Sequence, residues 1–126
     1  MEDKRMSKKL IALFAIVAVL GLAVANLRAA GAGSWTGEVV DVACHVSKGA
    51  KGAGHAECGA KCVKAGLPVG LLVGDTTYIL ISSDHKPLND TLAEHVGHTV
   101  TVTGNKFESK GANLIAVKDW KMADKM

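Results

Sequence analysis

The sequence predicts a mainly β protein: a small five-stranded OB-like barrel with a Cys/His helical insertion between strands 1 and 2 and a helix between strands 3 and 4. Three observations carry this prediction. Segments rich in β-branched residues recur five times between residues 35 and 120. A Gly-Asp pair at 74–75 joins two of them as a hairpin. Thr99-Val100-Thr101-Val102-Thr103 alternates polar and apolar side chains with the period of a half-buried strand, placing Val100 and Val102 inward. Five strands with a helix before the fourth match the connectivity of an OB barrel, whose first loop is a habitual binding edge.

Taken in order, residues 1–25 have the layout of a secretory signal peptide. Lys4, Arg5, Lys8 and Lys9 precede an unbroken apolar run from residue 10 to 25. Ala23-Val24-Ala25 offers a small-x-small cleavage site before Asn26, and Ala30-Gly31-Ala32 a second before Gly33. The run falls short of the ~20 residues of a spanning helix. A periplasmic or secreted location is therefore expected, and membrane contact only through this segment if it stays attached as an anchor. Residues 26–34 read as a Gly/Ala spacer, 35–121 as the folded domain, and 122–126 as a frayed tail.

Within the domain, residues 35–42 (W-T-G-E-V-V-D-V) read as strand 1. Residues 48–54 hold three glycines and form a loop, whose spacing does not match a phosphate-binding P-loop. Residues 55–65 read as a short helix stopped by Gly66 and Pro68. Residues 69–73 and 76–82 are strands 2 and 3. Leu88, Leu92 and Val96 recur every four residues in a second helix that Asn89 or Asp90 caps and Gly97 ends. Residues 99–103 and 113–120 supply strands 4 and 5, with Trp35 and Trp120 packing at the first and last strands.

Composition narrows the function. Beyond residue 25 the chain keeps 11 Lys and Arg against 10 Asp and Glu, a net charge of +1. That balance gives no electrostatic case for nucleic acid or an anionic membrane. Trp35, Tyr78, Phe107 and Trp120 are too few to form a stacking groove for single strands. No G-x-S-x-G, H-E-x-x-H or evident carboxylate pair is present, so nothing in the sequence calls for an enzyme.

The chemistry is concentrated in residues 41–66, which hold all three cysteines, Cys44, Cys58 and Cys62, with His45 and His55. On a helix His55, Cys58 and Cys62 stand at i, i+3 and i+7 and share a face. Cys44 precedes a glycine-rich loop able to fold back onto it. Cys44, His55, Cys58 and Cys62 therefore form a candidate tetrahedral ligand set for one thiophilic ion, zinc or copper, in a structural, storage or transfer role.

Two alternatives stay open at this stage. In one, Cys44 pairs with Cys58 or Cys62 and staples the insertion to the barrel, a bridge worth about 3 kcal/mol in the chain-entropy model. Such a domain would bind an unidentified protein partner without metal. In the other, the cysteines form a thiol redox site, with Cys58 in the first turn of its helix and Lys61 and Lys64 nearby. His45 reads as surface or supporting. Asp41 reads either as a turn cap or as a group orienting His55 or His45. His85, His95 and His98 surround the second helix and present a weaker cluster.

Four motifs also carry a resemblance. G-x-V-x-D-x-x-C is formed by Gly37, Val39, Asp41 and Cys44, and H-x-x-C-x-x-x-C-x-x-x-G by His55, Cys58, Cys62 and Gly66. The hairpin of Gly74, Asp75, Tyr78 and Leu80 and the closing Gly97, Val100, Val102 and Gly104 complete the pattern. It resembles a group of small exported bacterial domains of uncharacterised function, and covers most of the chain beyond residue 26. This chain departs from it in having Gly-Asp at the hairpin and a longer Lys/Gly loop after Cys44. The resemblance implies an exported small β domain and supplies no activity.

Overall fold

The computed structural model describes residues 30–123. Residues 1–25, read as a signal peptide, and the end of the tail lie outside those residues. Five strands close into a barrel: β1 (Ala30–Asp41), β2 (Val69–Val73), β3 (Thr76–Ser82), β4 (Thr99–Ser109) and β5 (Ala112–Met122). Their order around the barrel is β1-β2-β3-β5-β4. Neighbours are antiparallel in β1–β2, β2–β3 and β4–β5, and parallel in β3–β5. This is the OB-like arrangement the element order predicts. Between β1 and β2 lie helix α1 (Val42–Lys48), a 3₁₀ turn (Ala53–His55) and helix α2 (Ala56–Lys64). Between β3 and β4 lie the one-turn helix α3 (Asn89–Leu92) and a second 3₁₀ turn (Ala93–His95).

Strand alternation puts Val39, Leu71, Tyr78, Leu80, Val100, Val102, Ile115 and Val117 into one core. Val63 of α2 joins it, as do Leu92, Ala93 and Val96 from the second helical segment, so both insertions are packed onto the barrel. The inward placement of Val100 and Val102 holds, each being fully buried while Thr99 and Thr103 are exposed. Trp35 and Trp120 pack partly buried against the core from the first and last strands.

Several boundaries differ from the sequence reading, each for a tertiary reason. Residues 30–34, read as spacer, belong to β1. The hydroxyls of Ser34 and Thr103 share a hydrogen bond of 2.7 Å and those of Thr36 and Thr101 one of 2.8 Å, so β4 holds this segment extended. Strand β4 runs on to Ser109 through a register shift between Thr103 and Gly104. A Cβ at Gly104 would lie 2.0 Å from the Ala116 carbonyl oxygen, so only glycine permits this close passage. Met122, read as the start of the tail, pairs with Val100 and continues β5 beyond Lys121.

Helix α1 was not predicted at all, since V-A-C-H-V-S-K is poor in strong helix formers. Its ends account for it. Asp41 caps the first turn, and Gly49, at φ 71°, returns its N–H to the carbonyls of Cys44 and His45. Asn89 and Asp90 do not cap α3, whose N-cap is Leu88. The Asn89 Nδ2 instead donates to the Val63 and Leu67 carbonyls, at 2.8 Å each, and so satisfies the C-terminal end of α2.

Candidate metal centre

The site is built where β1 ends. Asp41 is the last residue of that strand, paired with Val69 across the ladder, and its side chain is 0% exposed. A carboxylate in this position must find partners or a counter-charge. Its Oδ1 accepts from the backbone N–H groups of Ala43 (3.1 Å) and Cys44 (3.5 Å). Capping α1 in this way fixes Cys44 in the first turn, with its thiol beside the carboxylate.

The loop that follows brings in the histidine. His45 donates from Nδ1 to the Ala50 carbonyl (3.1 Å), and the Gly52 N–H donates to Glu38 Oε2 of β1 (2.8 Å). The Lys/Gly loop is thus tied down at both ends. It returns the chain so that His55, at the start of α2, lies over Asp41. The expected motion is reversed: Cys44 is anchored by the strand end, and the loop carries His55 back to it.

His55 Nε2 stands 3.7 Å from Asp41 Oδ2, with the imidazole side chain 17% exposed. Both atoms are buried and neither has a directed hydrogen-bond partner. One ligand atom from each of Asp41, Cys44 and His55 falls within 4.8 Å of the others. These three residues lie close enough to hold a metal ion. Two ligands each about 2.0–2.2 Å from a shared ion stand about 3.3–3.7 Å apart at tetrahedral to trigonal angles, so the Asp41–His55 gap fits one.

The electrostatics are those of a carboxylate shared by thiols. Burial opposes ionisation of Asp41, but hydrogen bonding by the Cys44 and Cys62 thiols and by the Cys44 and Ala43 N–H groups outweighs it, holding the carboxyl below its usual range. The thiols pay the complement. The hydrogen bond to Asp41 pushes the Cys44 thiol up, with burial and the Asp41 charge adding to it. Burial, then the bond to Asp41 and the charges of Asp41, Cys44 and Cys58, push Cys62 to about 11. Cys62 thus shares the Asp41 carboxylate from the α2 side while lying outside the three-residue group.

Cys58, one helical turn before Cys62, is exposed and lies outside the three-residue group. Asp41, which the sequence reading leaves out of the set of Cys44, His55, Cys58 and Cys62, is instead the third member of the close group. The sequence reading offers Asp41 as a turn cap or as a group orienting a histidine; Oδ1 caps α1, and Oδ2 faces His55 Nε2 at 3.7 Å without a hydrogen bond. Strand-end aspartates ordinarily serve as caps, so spacing alone does not mark Asp41 as part of this group. All three cysteines are free, so the stapling disulfide is not part of this fold. Lys61 and Lys64 pair with Glu57 (3.8 Å) and Glu94 (3.9 Å) on the surface rather than with a thiol.

The other histidines lie apart from the centre. His95 packs edge-on against Trp120 and His98, with ring centroids 4.8 and 5.8 Å away, and His85 sits in a turn at φ 61°. Among the described residues Asp41, Cys44 and His55 are the group with metal-holding geometry. In comparisons with protein-family models, curated proteins and solved structures, nothing matches this chain.

Proposed function

We propose that this chain is an exported metal-binding β domain that holds one thiophilic ion through Asp41, Cys44 and His55, with Cys62 as the fourth ligand. One observation carries the reading: two buried polar atoms, Asp41 Oδ2 and His55 Nε2, face each other 3.7 Å apart without directed partners, beside a thiol. A cation between the two groups would give both unpartnered atoms a ligand bond. The donor set is one oxygen, one nitrogen and two sulfurs. Zinc accepts all three donor types, whereas Cu(I) favours thiolate and imidazole over carboxylate, so Asp41 favours zinc over copper. Four protein donors leave no open position for substrate, which favours a structural, storage or transfer role over catalysis.

Elemental analysis with a free-thiol count, on protein purified from the exported fraction, tests this. About one zinc per chain with reduced thiols, lost in His55→Ala, is the expected result. Metal-free protein that takes up no zinc, or uptake unaffected by His55→Ala, refutes it. Export rests on the residue 1–25 pattern and is checked by the N-terminal mass of that same protein, expected to begin at Asn26 or Gly33.

A thiol redox role is the second reading, favoured by the two thiols that share Asp41. Their raised pKa values weigh against it, because the thiolate is the nucleophile in disulfide exchange and little of it forms near neutral pH.

A further inference from the structure

We infer that Gly59 is a positioning residue for the metal centre, the seat on which the His55 imidazole rests. The inference builds on the metal reading above and adds a residue that no ligand pattern marks. Gly59 lies buried in the middle of α2, where glycine is the poorest helix former after proline. Its presence there calls for a packing reason, and the surroundings supply two. A Cβ at this position would lie 2.6 Å from Val96 Cγ1, and 3.2 and 3.4 Å from the Cδ2 and Nε2 of His55.

Neither neighbour can yield freely. Val96 is 3% exposed and belongs to the core, so a methyl group at 59 pushes α2 outward rather than displacing the valine. The imidazole edge borders the space a Cβ at 59 would fill, with Cδ2 the atom that must give and its ring neighbour Nε2 the atom that faces Asp41 Oδ2. A ring shift of a few tenths of an ångström therefore moves the coordinating atom itself. Metal–ligand distances are held to about 0.2 Å, so such a shift is felt directly in affinity. By leaving that space open, Gly59 lets the ring keep the orientation that points Nε2 at Asp41, a task that hydrogen-bonding partners fill in other sites.

The test uses three variants of the full domain, Gly59→Ala, Val96→Ala and the double variant, each checked for folding by circular dichroism. Zinc affinity is read by competition with a chromophoric chelator, and ligand geometry by the visible bands of the Co(II)-loaded protein. Val96→Ala is expected to bind both ions close to wild type, since it alters no proposed ligand and leaves the space at Gly59 open. Gly59→Ala is expected to bind about 10-fold more weakly or worse, with shifted Co(II) bands. The double variant removes the valine clash and leaves only the imidazole contact. It keeps the proposal testable if Gly59→Ala alone fails to fold, and is expected to show the same loss. A folded double variant with wild-type affinity and wild-type Co(II) bands overturns the inference and leaves Gly59 as packing alone. If the wild-type protein takes up neither zinc nor cobalt, the metal reading fails, and the positioning role falls with it.

Discussion

On the proposed ligand set, zinc affinity is expected to rise steeply with pH, and the slope counts the thiols that bind. In the metal-free protein both Cys44 and Cys62 hold their protons near neutrality. Cys44 is raised above the ordinary thiol value of 9.0, and Cys62 is pushed to about 11. Each must become a thiolate to ligate, so each releases one proton on binding and contributes about tenfold in apparent affinity per pH unit. Asp41 is held below its ordinary value of 3.8, is already ionised, and contributes no proton. Two thiolate ligands therefore predict an increase of about 100-fold between pH 7 and pH 8. The slope falls towards tenfold per unit once the pH passes the Cys44 value, and vanishes above about 11, where Cys62 has also ionised. The assay is competition with a chelator of known pH dependence, checked by calorimetry in buffers of different ionisation enthalpy. Cys62→Ser is expected to reduce the rise to about tenfold, and Cys58→Ser to leave it at about 100-fold. A pH-independent affinity, or a slope that responds to Cys58→Ser and not to Cys62→Ser, refutes the ligand assignment.

Asp41→Asn separates the two tasks of this residue: the amide oxygen can still cap α1, so the fold is expected to persist while zinc binding is lost in the same competition assay. Asp41→Ala also removes the cap and is expected to unfold about 1–2 kcal/mol more easily in urea. Asn89→Ala breaks the two hydrogen bonds to the end of α2 and is expected to cost about 1–3 kcal/mol in urea unfolding, with α2 the segment whose amide exchange rises most. The Tyr78 hydroxyl, pushed up to about 12 by its 2.6 Å hydrogen bond to Glu108 and by burial, binds its proton more tightly in the folded state than at its ordinary value of 10.0. Its contribution to stability is complete below about pH 10 and is lost as pH rises towards 12, so wild-type stability is expected to fall across that window and Tyr78→Phe stability to fall less. Thermal melts at high pH check this.

The sequence alone determined the barrel and the neighbourhood of the site. Alternation is a local property of the chain, and Val100, Val102 and the hairpin through Gly74 and Asp75 placed β2, β3 and the inward face of β4 before any contact was known. The density of Cys and His in residues 41–66 likewise marked the insertion, because metal and thiol chemistry depend on residue type. Only the tertiary structure decided which of those groups meet. Helical spacing placed Cys58 on one stripe with His55 and Cys62, yet His55 sits at the N-cap of α2 with its ring over Gly59, and Cys58 is left exposed. Asp41 became the centre because β1 ends beneath the insertion, where one oxygen caps α1 and the other faces His55. The same holds for residues 30–34 and for α1, where pairing with β4 and two good caps override weak local propensity. Spacing along a chain sets which side chains share a face, but what a face looks onto depends on packing between segments distant in sequence. The carboxylate that closes this site is contributed by that packing.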